Sequence, residues 1–322
     1  MKPLSLCLLA TAILCAQSKS TPRAPDGHPD LQGIWTGATL TPLERPAQFA
    51  GKPTVSNKEA TEYEQSDLKT NNIDDPEAPL LARAGSGSGA TAVGGYNNLF
   101  IDRGTQLARV DGTARTSLII DPTDGKIPLA ARARPTRPPD PSQMLGRYDS
   151  VKDRPLAERC LVGFGSTAGP PMLPVLYNNT YQIVQTGDAV MILVEMVHDV
   201  RVIKLNRQHE PANLKRWFGD SVGHWEGDTL VVETINLRPE VRFRGSSEKL
   251  RVIERFRRID AKTILYRATL EDPVAFTAPW TLEYPLNATT GPVYEYACHE
   301  GNYAMPDILG GARKLESEST KK

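Results

Sequence analysis

The sequence predicts a mainly β protein: an antiparallel β-barrel or barrel-like sandwich, with a loop-rich N-terminal half and short helices. Three observations carry this. From Thr180 onward, short runs rich in Val, Ile, Tyr and Thr follow one another at hairpin spacing. They are TYQIVQ, AVMILVEMV, VRVIKL, TLVVETINL, LRVIERFRRI, TILYRATLE, PWTLEYPL and PVYEYAC. Turn chemistry sits at the joints, at Thr186-Gly187-Asp188, Glu226-Gly227-Asp228 and Asp260-Ala261-Lys262. No long helical period interrupts 180–298, which disfavours a βαβ architecture.

The chain opens with MKPLSLCLLATAILCAQS, one positive charge before an apolar run and then small residues. That order predicts a secretory signal peptide over 1–18, too short for a membrane span. A polar, Pro-rich linker follows over 19–30. Residues 31–179 read as a loop-rich wrapping region. It holds the strand-like LQGIWTGATL, a helix over 57–68 with Ser56 as its N-cap, and a small-residue loop, ARAGSGSGATAVGG. The strand SLIID then runs through an Asp124-Gly125 turn and out through IPLA, before the Pro-rich ARARPTRPPDPSQ. The barrel itself is expected over 180–314. A short helix in NYAMPDILGGARK should break at Pro306 and end at Gly310-Gly311, leaving 315–322 as a disordered tail.

Period-two alternation assigns the strand faces. TILYRATLE puts Ile264, Tyr266, Ala268 and Leu270 on one face. AVMILVEMV is apolar on both faces except for Glu195, which predicts a strand covered on both sides. A carboxylate there needs a cationic partner or a functional reason. RVIERFRRI carries Glu254 among Val252 and Phe256, with Arg251, Arg255 and Arg257 opposite. In a barrel it would face a polar or ion-paired interior; in an open sheet it would be an edge strand.

Excision of a leader removes Cys7 and Cys15 from the four cysteines and leaves Cys160 and Cys298. An even pair in an exported chain is expected to be bridged. The 38 Lys and Arg balance the 38 Asp and Glu, which argues against nucleic acid or an anionic membrane as main partner. About 300 residues after the leader can bury a sizeable core. No GxSxG, HExxH, Walker loop, GxGxxG after a strand, or CxxC is present, so no cofactor is implied.

The candidate chemistry lies at strand ends. VHDVRV carries His198, Asp199 and Arg201, where His198 is the expected general base and Asp199 its orienter. CHEGN supplies a second acid–base pair, His299 and Glu300, beyond Cys298. Arg242 and Arg244 alternate with Phe243, so both guanidinium groups would project one way as an anion clamp. Glu195, His224, Glu233 and Tyr296 complete the expected substrate-binding set.

With these motifs in view, the chain resembles a broad set of exported bacterial proteins of undetermined function. They share PDLQGIWT, GHWEGDTLVVET, FRGSSEKLRVIERF and YEYACHEGNYAM. The likeness spans about Pro25 to Arg313 and carries over no catalytic residue. Gly33-Ile34-Trp35 also resembles the Gly-X-Trp of lipocalin-type barrels, which implies a Trp closing one barrel end against a basic side chain.

Three functions follow as expectations. The first is a cofactor-free periplasmic or secreted enzyme, a lyase, isomerase or hydrolase acting on a polar hydroxylated small molecule such as a sugar or phenolic. The second is a non-catalytic small-ligand barrel. The third is a metal site assembled from His198, His224 and His299.

Overall fold

The computed structural model describes residues 21–70, 102–131, 148–163, 166–241 and 243–320. The expected leader, the small-residue loop at 82–95, most of the Pro-rich stretch after Ala131, and Arg242 lie outside the described residues.

In chain order the N-terminal part gives β1 (Gly33–Thr36), β2 (Thr54–Val55), helix α1 (Asn57–Thr70), β3 (Arg109–Val110), β4 (Thr113–Arg115) and β5 (Ile119–Asp121). Helix α1 starts where the sequence places it, through a reciprocal capping box. The Glu59 N–H donates to Ser56 Oγ at 3.2 Å, and the Ser56 N–H donates to Glu59 Oε2 at 3.0 Å. Then come β6 (Thr180–Gln185), β7 (Ala189–Val194), β8 (Val200–Leu205), β9 (Asp220–Glu226), β10 (Thr229–Ile235), β11 (Arg251–Arg258), β12 (Thr263–Glu271), β13 (Trp280–Ala288) and helix α2 (Ala304–Ser319).

Strand β1 pairs with β6 on one side and β13 on the other, closing a barrel in the order β1-β6-β7-β8-β9-β10-β11-β12-β13. Closure removes sheet edges that would otherwise template association. Nine strands cannot close with every neighbour antiparallel, so one parallel joint is forced. It is β8–β9. The chain recrosses the barrel over 206–219 to make it, a connection of the length a parallel pair needs. The closing strand β1 comes from the region the sequence reading assigns to the wrapping, so the barrel is wider in sequence than 180–314. Strands β2, β4 and β3 form a separate small sheet over α1, and β5 pairs with β13.

Alternation sets the interior. Trp35, Tyr181, Phe256, Tyr266, Trp280 and Tyr284 are almost fully buried, each contributing on the order of 1.5–3 kcal/mol by burial. Trp35 lies beneath Arg258, whose guanidinium carbon is 5.2 Å from the ring centroid, as the Gly-X-Trp resemblance implies. The interior is filled rather than hollow. Residues 167–173 enter from one end. There the Met172 N–H donates to Tyr266 Oη at 2.8 Å, and Tyr284 Oη donates to the Met172 carbonyl at 3.1 Å.

Strand β11 lies between β10 and β12, so the ion-paired-interior alternative holds and the edge alternative does not. Glu254 is 0% exposed and Arg201 2%. Arg201 grips Glu254 in a fork, at 3.0 and 2.5 Å, and Tyr266 Oη donates to Glu254 Oε1 at 2.8 Å. Burial opposes the Arg201 charge, but attraction to Glu254 outweighs it and the net shift is upward.

Several expectations need correction. Strand β7 is not covered on both sides: Met191 is exposed, and so are Val200 and Val202 on neighbouring β8. PVYEYAC forms no strand, because β13 already has its partners. Pro306 does not break the last helix. It sits in the first turn, where no N–H partner is lost, and α2 runs on through Gly310-Gly311 and over the expected tail to Ser319. IPLA is not a strand; Leu129 makes one bridge to Phe276.

Candidate functional site

The strand registers place the ends of β1, β7, β10 and β12 and the starts of β6, β8, β9, β11 and β13 at one rim. This is the rim into which residues 167–173 plug. The β7–β8 turn crosses it and carries Glu195, His198 and Asp199. Its backbone is unusual: Val197 has φ 58° and His198 φ 46°. Two successive left-handed residues without glycine, one of them β-branched, store local strain. The turn is held by Val194 N–H donating to the Asp199 carbonyl at 2.8 Å and by Glu195 N–H donating to the Thr180 carbonyl at 3.0 Å.

Glu195, Asp102 and Asp199 lie around this rim, and among the described residues none of them is ion-paired to a Lys or Arg. Glu195 is buried and, among the described residues, its carboxylate accepts the Tyr294 N–H at 3.0 Å. Of the two alternatives the sequence leaves for Glu195, a cationic partner is not found among the described residues. Asp102 lies close enough that desolvation first, and the Glu195 charge second, raise its carboxyl above the ordinary range. Asp199 is half-buried. Burial pushes its carboxyl up to about 6, and the Gly163 N–H at 3.3 Å and His198 only partly offset this. Neither Asp102 nor Gly163 is legible as a site residue in the sequence, because long loops bring both. The His198 ring is exposed and has no hydrogen-bond partner among the described residues.

The disulfide joins Cys160 to Cys298 as expected, with Cα atoms 5.9 Å apart. It brings the His299-Glu300 segment to this same rim, since Asp199 contacts Gly163 and Glu195 contacts Tyr294. His299 lines a groove of about 350 Å³ with Arg159, Cys160 and Met305. His198 is not among that groove's lining. Glu300 is exposed, and Tyr296 packs against the core.

Other expected residues go elsewhere. Arg201 points inward to Glu254, its terminal nitrogens committed. Arg244 lies in a tight turn, Phe243–Gly245, with φ 50°, so the extended alternation assumed for the clamp fails there; it lines a different groove with Arg103 and Leu176. His224 is exposed on the outer wall at the opposite end of β9 and contacts Glu226 at 3.2 Å. The His198, His224 and His299 rings therefore do not converge. Among the described residues, no three His, Cys, Asp or Glu side chains are grouped to hold a metal ion. Glu233 is on the outer wall, bonded to Arg251 and 3.3 Å from His209 Nε2. His209 Nδ1 faces Asp220 at 2.9 Å, so that ring bridges two carboxylates. The sequence gives no signal for this bridge, because the recrossing segment creates it.

Comparison with protein-family models, curated proteins and solved structures finds no significant match. Among the described residues no helix is long and apolar enough to cross a membrane.

Proposed function

We propose that the chain is an exported enzyme that performs general acid–base chemistry at the plugged rim, as a lyase, isomerase or hydrolase. The observation that carries this reading is Asp199. Burial pushes its carboxyl up to about 6, on a strained turn beside the exposed His198 imidazole. A group near the working pH can both take and return a proton, which is what acid–base catalysis requires. Asp199 is thus the proton-transfer group, with His198 beside it. Glu195 and Asp102 supply acceptors for hydroxyl groups, which favours a polar hydroxylated small molecule such as a sugar or phenolic. Export is supported by the N-terminal pattern and by the long-range disulfide. The resemblance to exported bacterial proteins points the same way.

The test is a turnover screen of the purified protein against sugar derivatives and plant phenolics, followed by a pH–rate profile. An ionisation near 6 should govern the rate, and Asp199→Asn should abolish it. Full activity in that variant would end the proposal.

A further inference from the structure

The parallel joint leaves a gap in the barrel wall. Strands β8 and β9 register over only three pairs, Ile203–Ser221, Lys204–Val222 and Leu205–Gly223. Before Ser221 the chain leans away from β8. The Arg216 N–H donates to the Asn236 carbonyl at 3.0 Å, and the Arg238 N–H donates to the Arg216 carbonyl at 2.9 Å. Between this segment and the start of β8 lies a cleft of about 610 Å³, within the usual range for small-molecule sites.

Its two walls differ in chemistry. One is apolar: Val200 and Val202 are each 51% exposed, and Trp217 and Phe218 also line the cleft. The other is cationic. Lys204 is held by Asp220 and Glu210, both at 2.9 Å, and Arg238 by Glu240 at 2.6 Å. Lys215 and Arg216 have no carboxylate partner among the described residues. Arg201 also borders the cleft, but its guanidinium is turned inward onto Glu254 and takes no part in this wall.

We infer that this cleft is a binding site for a small organic anion, one with an apolar or aromatic body. The carboxylate or equivalent head would lie on Lys215 and Arg216, and the body against Trp217, Val200 and Val202. Two unpaired cations beside exposed apolar surface are what such a ligand satisfies at once. The site is separate from the carboxyl-lined rim and does not depend on the reading of that rim.

Calorimetric titration with naphthoate, its uncharged amide naphthamide, and inorganic sulfate tests this on the whole protein. Naphthoate should bind saturably, and both other probes should bind about tenfold more weakly or worse, since a charged hydrogen bond and the buried body each contribute that much. A Lys215→Ala, Arg216→Ala double variant should lose about tenfold for naphthoate on the same grounds. Val202→Glu, which places a negative charge on the exposed wall, should weaken naphthoate too. No saturable heat with naphthoate, equal binding of naphthamide, sulfate as tight as naphthoate, or unchanged affinity in both variants would each overturn the inference.

Discussion

The centre and the rim of this barrel treat buried carboxylates in opposite ways. At the centre, Glu254 is met by an arginine fork and a tyrosine hydroxyl. At the rim, Glu195 receives one backbone N–H and Asp199 another, with no Lys or Arg paired to either among the described residues. A compensated charge inside a protein is a structural device, costly to interrupt. Asp199, without such a fork, keeps its proton to higher pH. That contrast separates scaffold from candidate chemistry.

Interrupting the centre should have the largest effect. Arg201→Met leaves Glu254 buried and unpaired and should cost about 3–5 kcal/mol in urea unfolding. Arg201→Met with Glu254→Leu should cost clearly less than the sum of the two single changes. Additive single effects would show that the pair is not coupled.

Next is the tie that holds the rim segments together. Cys160 and Cys298 are 138 residues apart, and Cys160→Ala with Cys298→Ala should cost about 2–5 kcal/mol. If the tie serves the rim, hydrogen exchange at Gly163 and Tyr294 should speed up more than exchange in β11. Uniform acceleration would assign the bridge to global stability alone.

His198→Gly should move stability the other way. It relieves a left-handed backbone at an exposed position and should add about 1 kcal/mol. A loss of stability would mean that the ring makes contacts that hold the turn.

The smallest effect is a pH dependence. The folded Asp199 carboxyl is raised to about 6, so the folded state binds this proton more tightly than the unfolded chain does. Its favourable contribution is complete below the unfolded value and fades as pH rises through about 6. Asp199→Asn removes the dependence. Its Tm should match the parent at low pH and exceed it by a few degrees at pH 8. A variant less stable than the parent at both pH values would mark Asp199 as structural.

Local patterning predicts the strand series from Thr180, the start of α1 and the disulfide pair, and leaves β11 open between an ion-paired interior strand and an edge. The three predictions follow from local rules: period-two alternation, a capping box, and cysteine parity in a chain expected to be exported. The same patterning misjudged the last strand and the last helix for a local reason as well. Alternation in PVYEYAC cannot reveal that β13 is already paired, and Pro306 stops a helix only away from its first turn. Tertiary structure alone decided that Arg201 turns inward while Asp199, two residues earlier, stays at the rim. It also decided that Asp102, Gly163 and Tyr294 join them, and that the parallel β8–β9 joint opens the wall. These depend on closure, because an odd number of strands forces a parallel neighbour and long loops decide which distant groups share a rim. YACHEGNY illustrates the division: its cysteine was legible as a bridge, but its place beside the β7–β8 turn came only with the fold.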